Sequence, residues 1–150
     1  MAEVSTLEAP ALVEVLPNHR FDEAALLRYL AERLPGFSEG CLVRQFHGGQ
    51  SNPTFHLKTP SGAYVLRKKP AGKLLPSAHA VDREYRILKA LSETDVPTPK
   101  VHLLCDDPDV IGTIFYVMDY LPGRIYADRT MPGVDAAHRR VAFLDRKSVV

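Results

Sequence analysis

The chain has 150 residues, of which 45% are hydrophobic and 25% charged, a balance that fits a globular domain and excludes disordered and fibrous classes. A formal net charge of +1 gives no general attraction to nucleic acid or to an anionic membrane, so any anion site must be local. No apolar run approaches the roughly 20 residues that span a bilayer, Glu3 and Glu8 stand where a secretion signal needs basic and then apolar blocks, and Cys41 and Cys105 lie far apart without C-x-x-C spacing; these features predict a reducing, cytoplasmic setting.

Residues 1–20 mix Pro10 and Pro17 with short apolar pieces and show no sustained period, as expected of an extended arm that packs on the domain or frays. Asp22 can cap a helix over 23–34, where Leu26, Leu27, Leu30 and Leu34 recur at helical spacing and Pro35-Gly36 stops it. Residues 42–46, 54–59 and 63–69 read as three strands of an antiparallel meander, the last two joined by Pro60-Ser61-Gly62. After a loop over 70–76, a helix is predicted over 79–92, and two further strands over 101–105 and 113–119 flank an Asp-Asp-Pro-Asp turn. The expected architecture is α+β, a five-stranded antiparallel sheet with one crossing helix and an N-terminal helix. Gly123 opens a linker, and 135–145 can begin another helix through Ala137, Val141 and Leu144. The expected division is an arm over 1–20, a lobe over 21–121, and a hinge with the start of a second lobe over 122–150.

The helix over 79–92 carries the sharpest clue. At 100° per residue Val81, Tyr85, Ile87, Leu88 and Leu91 form one apolar arc, and Glu84 falls in its middle. A covered carboxylate requires a cation, and the preceding strand offers Arg67, Lys68 and Lys69. Strand alternation puts Val65 and Arg67 on one face and Leu66 and Lys68 on the other, which selects Arg67 as the partner of Glu84. A structural salt bridge at a helix edge is the competing reading of this pair. Upstream, Gly48 and Gly49 permit positive φ and close backbone approach, so the amides of Gln50, Ser51 and Asn52 can point at phosphate oxygens. Alone, Gly-Gly is more often a plain hairpin turn. No Gly-Lys-Ser/Thr follows, and the next element is a strand, which excludes a P-loop and a dinucleotide fingerprint. Residues 113–118 form a near-continuous apolar run that ends in Asp119-Tyr120-Leu121 before Pro122-Gly123. Exposed backbone beside an apolar wall suits a purine, with the Asp119 carbonyl accepting from the adenine amino group, the Leu121 amide donating to N1, and Met118 behind.

Gly-Gly-Gln-Ser-Asn-Pro-Thr, Tyr-Val-Leu-Arg-Lys-Lys-Pro, the stretch from Leu75 to Tyr85 and Tyr-Val-Met-Asp-Tyr-Leu-Pro-Gly-Arg together resemble the aminoglycoside phosphotransferase family of kinase-like enzymes over roughly residues 20–133. Within it they look most like the branch associated with acyl-CoA dehydrogenases. The resemblance implies a kinase-type N-terminal lobe that binds ATP, with the cation at Arg67 on the α and β phosphates and Glu84 as its partner. It also implies a small-molecule hydroxyl as acceptor, with a hydroxyacyl-CoA type suggested by the branch. The family pattern continues with His-Gly-Asp, a following asparagine and a magnesium-holding aspartate, and none of these is in the sequence. No catalytic residue and no magnesium ligand is therefore expected in this chain, which reads as an N-terminal piece. Its expected state is inactive, with an apolar patch near Val65, Met118 and Leu121. The alternative function is a non-catalytic nucleotide-binding or scaffolding module. A nucleic-acid partner is disfavoured because the basic cluster at 67–73 is short and lacks a ladder of aromatic residues.

Overall fold

Apolar alternation along the strands gives one sheet two covered faces, each with its own helix. The computed structural model describes residues 10–48, 52–70, 72, 80–123 and 130–144. Strands β1 (Leu12–Val13), β2 (Leu42–Phe46), β3 (Thr54–Thr59), β4 (Gly62–Lys68), β5 (Val101–Cys105) and β6 (Phe115–Asp119) form an antiparallel sheet in the order β1-β2-β3-β4-β6-β5. Helices α1 (Glu23–Ala31), α2 (Val81–Leu91) and α3 (Ala136–Leu144) complete the fold, with a 3-10 turn at Pro17–His19. The α2 connection carries the chain past the position of β6, so β6 returns between β4 and β5.

Helix α1 covers the first face. Asp22 caps it by accepting from the Ala25 amide at 2.9 Å. Leu26 and Leu30 are fully buried with Phe37 against Val43, Phe55, Leu57, Leu66, Phe115 and Val117. The helix closes at Ala31 rather than at 34, where the Arg33 amide donates to the Leu30 carbonyl, three residues back instead of the helical four. Gly36 then adopts φ +95°, a left-handed conformation that lets the chain pass close to Ser61 in the β3–β4 turn. The second face is built on Val65, Tyr116 and Met118, with Val81 of α2 fully buried against them.

The sheet has a sixth strand where five were expected. In β1, Leu12 pairs with Phe46 and Val13 with Gln45. Two residues carry no readable period, so the arm gave no strand signal in the sequence. What ties it down is polar: buried Gln45 accepts from the Leu16 amide at 3.0 Å and meets His19 Nδ1 at 2.7 Å. The arm thus satisfies a side chain that β2 would otherwise bury unpaired.

Two expectations about exposure are overturned. Val65 and Met118 are only 6% and 7% exposed, so they form no open apolar patch; Phe46, Tyr120 and Val101 pack over their cluster, and Leu121 alone of the three residues is exposed. Conversely Ile87, placed on the apolar arc of α2, is 52% exposed, because the helix turns Val81, Tyr85 and Leu88 to the sheet, of which Val81 is buried. Lys68 lies on the α1 face as alternation required. Its ammonium sits 6.0 Å from the centres of the Phe21 and Phe55 rings, and burial lowers its pKa.

Gly36→Ala is expected to destabilise the chain by about 1–2 kcal/mol, because a Cβ there meets Ser61 Oγ and φ is positive. Urea unfolding with an unchanged m-value checks this, and Gly40→Ala, also at positive φ but with open space around it, separates the backbone cost from the clash.

Candidate functional site

Strand β4 is central, pairing with β3 on one side and β6 on the other, so Arg67 stands between Thr54 and Tyr116. One turn into α2, Glu84 follows the buried anchor Val81 and turns its carboxylate to the same face. Arg67 Nη1 lies 3.3 Å from Glu84 Oε2, with the two side chains 26% and 34% exposed. The sequence-derived pairing is therefore present.

The carboxylate has two further partners. Tyr116 donates its hydroxyl to Oε2 at 3.1 Å, and Asn52 donates its amide nitrogen to Oε1 at 3.2 Å. Tyr116 is fully buried and Asn52 is 4% exposed. Burial pushes the Tyr116 phenol well above its usual range, Glu84 adds to the rise and Arg67 opposes it, so the hydroxyl stays protonated and donates. Two covered atoms in this cluster have no hydrogen-bond partner among the described residues: Arg67 Nε, a donor, and Asn52 Oδ1, an acceptor. Unpaired buried groups of this kind mark a place where a polar ligand or water is accommodated.

Gly48 has φ +92°, the left-handed backbone that its turn was expected to need. Gly49, Gln50 and Ser51 lie outside the described residues. Asn52, read from the sequence as a phosphate-facing amide, uses its side chain to tie the end of this turn to α2.

The segment at the end of β6 is held by contacts that the sequence did not reveal. Asp119 Oδ1 meets His102 Nε2 at 2.6 Å, its amide donates to the Lys100 carbonyl at 2.8 Å, and the Tyr120 amide donates to the Ala63 carbonyl at 3.3 Å. The Tyr120 ring lies edge-on to His56 at 4.7 Å and stacks with Phe46 at 6.2 Å. Met118 is covered behind this group and Leu121 is 59% exposed in front of it. Tyr116 was findable, since it shares a face with Met118 two residues on and a buried phenol requires an acceptor. His102 was not, because β5 meets β6 with a register irregularity between Val101 and Leu103.

Neither thiol has the character of a nucleophile: burial pushes Cys41 up to about 11, and Cys105 is buried with its Sγ 3.5 Å from the Asp107 carbonyl. Among the described residues no group of three or more His, Cys, Asp or Glu side chains is placed to hold a metal ion, and no helix is long and apolar enough to cross a membrane.

A cation–carboxylate pair between a central strand of an antiparallel sheet and a crossing helix accords with a kinase-like α+β fold. The family model described as phosphotransferase enzyme family matches residues 42–145, and the chain belongs to that family. It is 52% identical over 139 residues to acyl-CoA dehydrogenase family member 11 of Gallus gallus, covering 90% of this chain and 18% of that protein. It is 48% identical over 137 residues to the Homo sapiens protein of the same name, covering 89% and 18%. A crystal structure from Ralstonia eutropha, provisionally named an aminoglycoside phosphotransferase, superposes with a TM-score of 0.68 at 43% identity, over 83% of this chain and 35% of that one. The chain thus spans under a fifth of those curated relatives.

His56 is 8% exposed, and burial, with Lys58 adding, lowers its pKa below 6.5. The unfolded chain therefore binds the proton more readily than the folded one, so stability is complete above 6.5 and falls as pH drops from there toward the lowered folded pKa. Thermal unfolding of wild type and His56→Phe at pH 7.5 and 5.5 checks this, and the variant is expected to lose less stability on acidification. An equal loss in both proteins would remove His56 from the account.

Proposed function

We propose that this chain is the nucleotide-holding lobe of an ATP-dependent phosphotransferase that acts on a hydroxyl group of a small molecule. The observation that carries the proposal is the Arg67 guanidinium, held by Glu84 through Nη1 at 3.3 Å with a quarter of the side chain exposed. A cation with spare donors on a rigid strand suits a polyphosphate, and phosphoryl transfer depends on such positioning more than on covalent chemistry by the protein.

In this reading Arg67 contacts the α and β phosphates, and the backbone around Gly48–Asn52 covers them. Adenine lies against Val65 and Met118, its amino group donating to the Asp119 carbonyl and its N1 accepting from the Leu121 amide. His102 and His56 keep the hinge in place for that contact through Asp119 and Tyr120. Entry of the base requires the Tyr120 ring to move or to share its place over this wall. Magnesium would neutralise the phosphates during transfer, but the described residues offer no ligand cluster for it, and no step here is assigned to it. The acceptor, of the hydroxyacyl-CoA type by analogy with the relatives, would be selected by parts of the longer proteins that this chain does not span, in the cytoplasm.

ATP titration followed by backbone amide shifts is expected to move Leu121 and its neighbours, and Arg67→Ala is expected to weaken binding by about tenfold or more. Shifts confined to Lys68, Lys69 and Lys73 would show nonspecific charge attraction and overturn the assignment. Residues 1–150 alone are expected to show no acceptor-dependent ATP turnover with magnesium and a panel of hydroxylated acceptors, including hydroxyacyl-CoA esters and aminoglycosides. Turnover would place the chemistry within this chain, whereas binding without transfer by the longer relatives as well would favour a non-catalytic nucleotide module.

A further inference from the structure

Arginine and carboxylate left to themselves close a side-on fork, in which Nε and one Nη donate in parallel to the two oxygens. Here that fork is open. Glu84 meets Arg67 through Nη1 at 3.3 Å, and Nε has no partner among the described residues. What distinguishes this carboxylate is that each oxygen already accepts from another group, Oε1 from Asn52 and Oε2 from Tyr116. Both donors are buried, at 4% and 0% exposure, and come from different segments, so the carboxylate is held from two directions.

We propose that Tyr116 and Asn52 are positioning residues that keep the Arg67–Glu84 fork open, so that the guanidinium retains donors for the phosphates of a nucleotide. The inference rests on the nucleotide reading above for its ligand, but the open fork itself does not. Lysine at this position would need no such device, because a single ammonium cannot form a fork. With arginine, the same glutamate that orients the cation also competes for the donors that bind phosphate. Each carboxylate oxygen can accept two hydrogen bonds, so what Tyr116 and Asn52 fix is the direction of the carboxylate plane, and removing either donor releases that plane. Either change lets the guanidinium rotate onto the carboxylate and use Nε there. The pair then becomes tighter while the phosphate site becomes weaker, so affinity falls without a matching loss of folding stability.

The test is a cycle of Tyr116→Phe and Arg67→Lys in the 150-residue chain, with Asn52→Ala as an independent arm. Tyr116→Phe and Asn52→Ala are each expected to weaken ATP binding by about fivefold to tenfold with Arg67 present. In the Arg67→Lys background Tyr116→Phe is expected to change ATP affinity by less than about twofold. Equal losses in both backgrounds would show that the hydroxyl only supports the fold, and would overturn the inference; so would unchanged affinity in the Arg67 chain. A readout without nucleotide is the Arg67 Nε–H resonance in side-chain NMR, expected to shift downfield and exchange more slowly with solvent in Tyr116→Phe as the fork closes. An unmoved resonance overturns the inference even where ATP binds. A wild-type chain that binds no ATP overturns the proposed function, while the resonance still decides whether the fork is held open.

Discussion

The Glu84 carboxylate is the constraint on which this face of the molecule depends. A charge on the covered side of a helix is tolerated only when donors surround it, and the three that do so come from β4, β6 and the end of the glycine turn. Helix α2 packs Val81, Tyr85 and Leu88 against the sheet, with only Val81 fully buried and Ile87 left open, so apolar contact sets part of its orientation. The polar cluster supplies the rest of that orientation. Hydrogen bonds to a charged group are the stronger kind and have directional preferences that apolar contacts lack. A helix placed in this way presents its carboxylate reproducibly, which a positioned cation requires.

The opposite face follows different physics. Leu26, Leu30, Phe55, Leu57, Leu66, Phe115 and Val117 are all fully buried there, and the edge-on Phe21–Phe55 and Tyr29–Phe115 pairs add specific contacts. Lys68 is the exception, an ammonium between aromatic rings whose burial lowers its pKa. The site face has a smaller core of its own, with Val81 and Tyr116 fully buried beside Val65 and Met118, so site chemistry and packing share that side of the sheet.

The parts of this arrangement that were legible in the sequence are those written in periodicity. Alternation along 64–68 and the helical spacing around Glu84 identified the Arg67–Glu84 pair, and the apolar run ending in Pro-Gly identified β6 and the hinge. Helix ends were less legible: α1 stops at Ala31, where a tighter turn bond at 33 replaces the helical one, and the leucine spacing continues past that point. The sixth strand, the His102–Asp119 contact and the Phe46–His56–Tyr120 cluster were not legible, for a common reason. Each depends on which residues long-range strand pairing sets side by side, and a single sequence encodes that pairing only through turn lengths and register. Asn52 shows the intermediate case, since its position beside the site was readable but its partner was not.

Register is also what selects the cation. Residues 67 and 68 are both basic, and a slip of β4 by one place would carry Lys68 to the Glu84 face and Arg67 into the α1 core. Leu66 opposes this slip, being fully buried opposite Phe55 on one side and Val117 on the other, and no polar neighbour could replace it there. The β3–β4 turn adds a second restraint, because Thr59 Oγ1 both accepts from the Gly62 amide at 3.1 Å and donates to the Gly62 carbonyl at 3.0 Å. The choice of arginine over lysine at the site is therefore made in the apolar core, several ångströms from the charge. A core substitution at Leu66 or a change in length of the 60–61 turn would alter the chemistry of the other face without touching any residue on it.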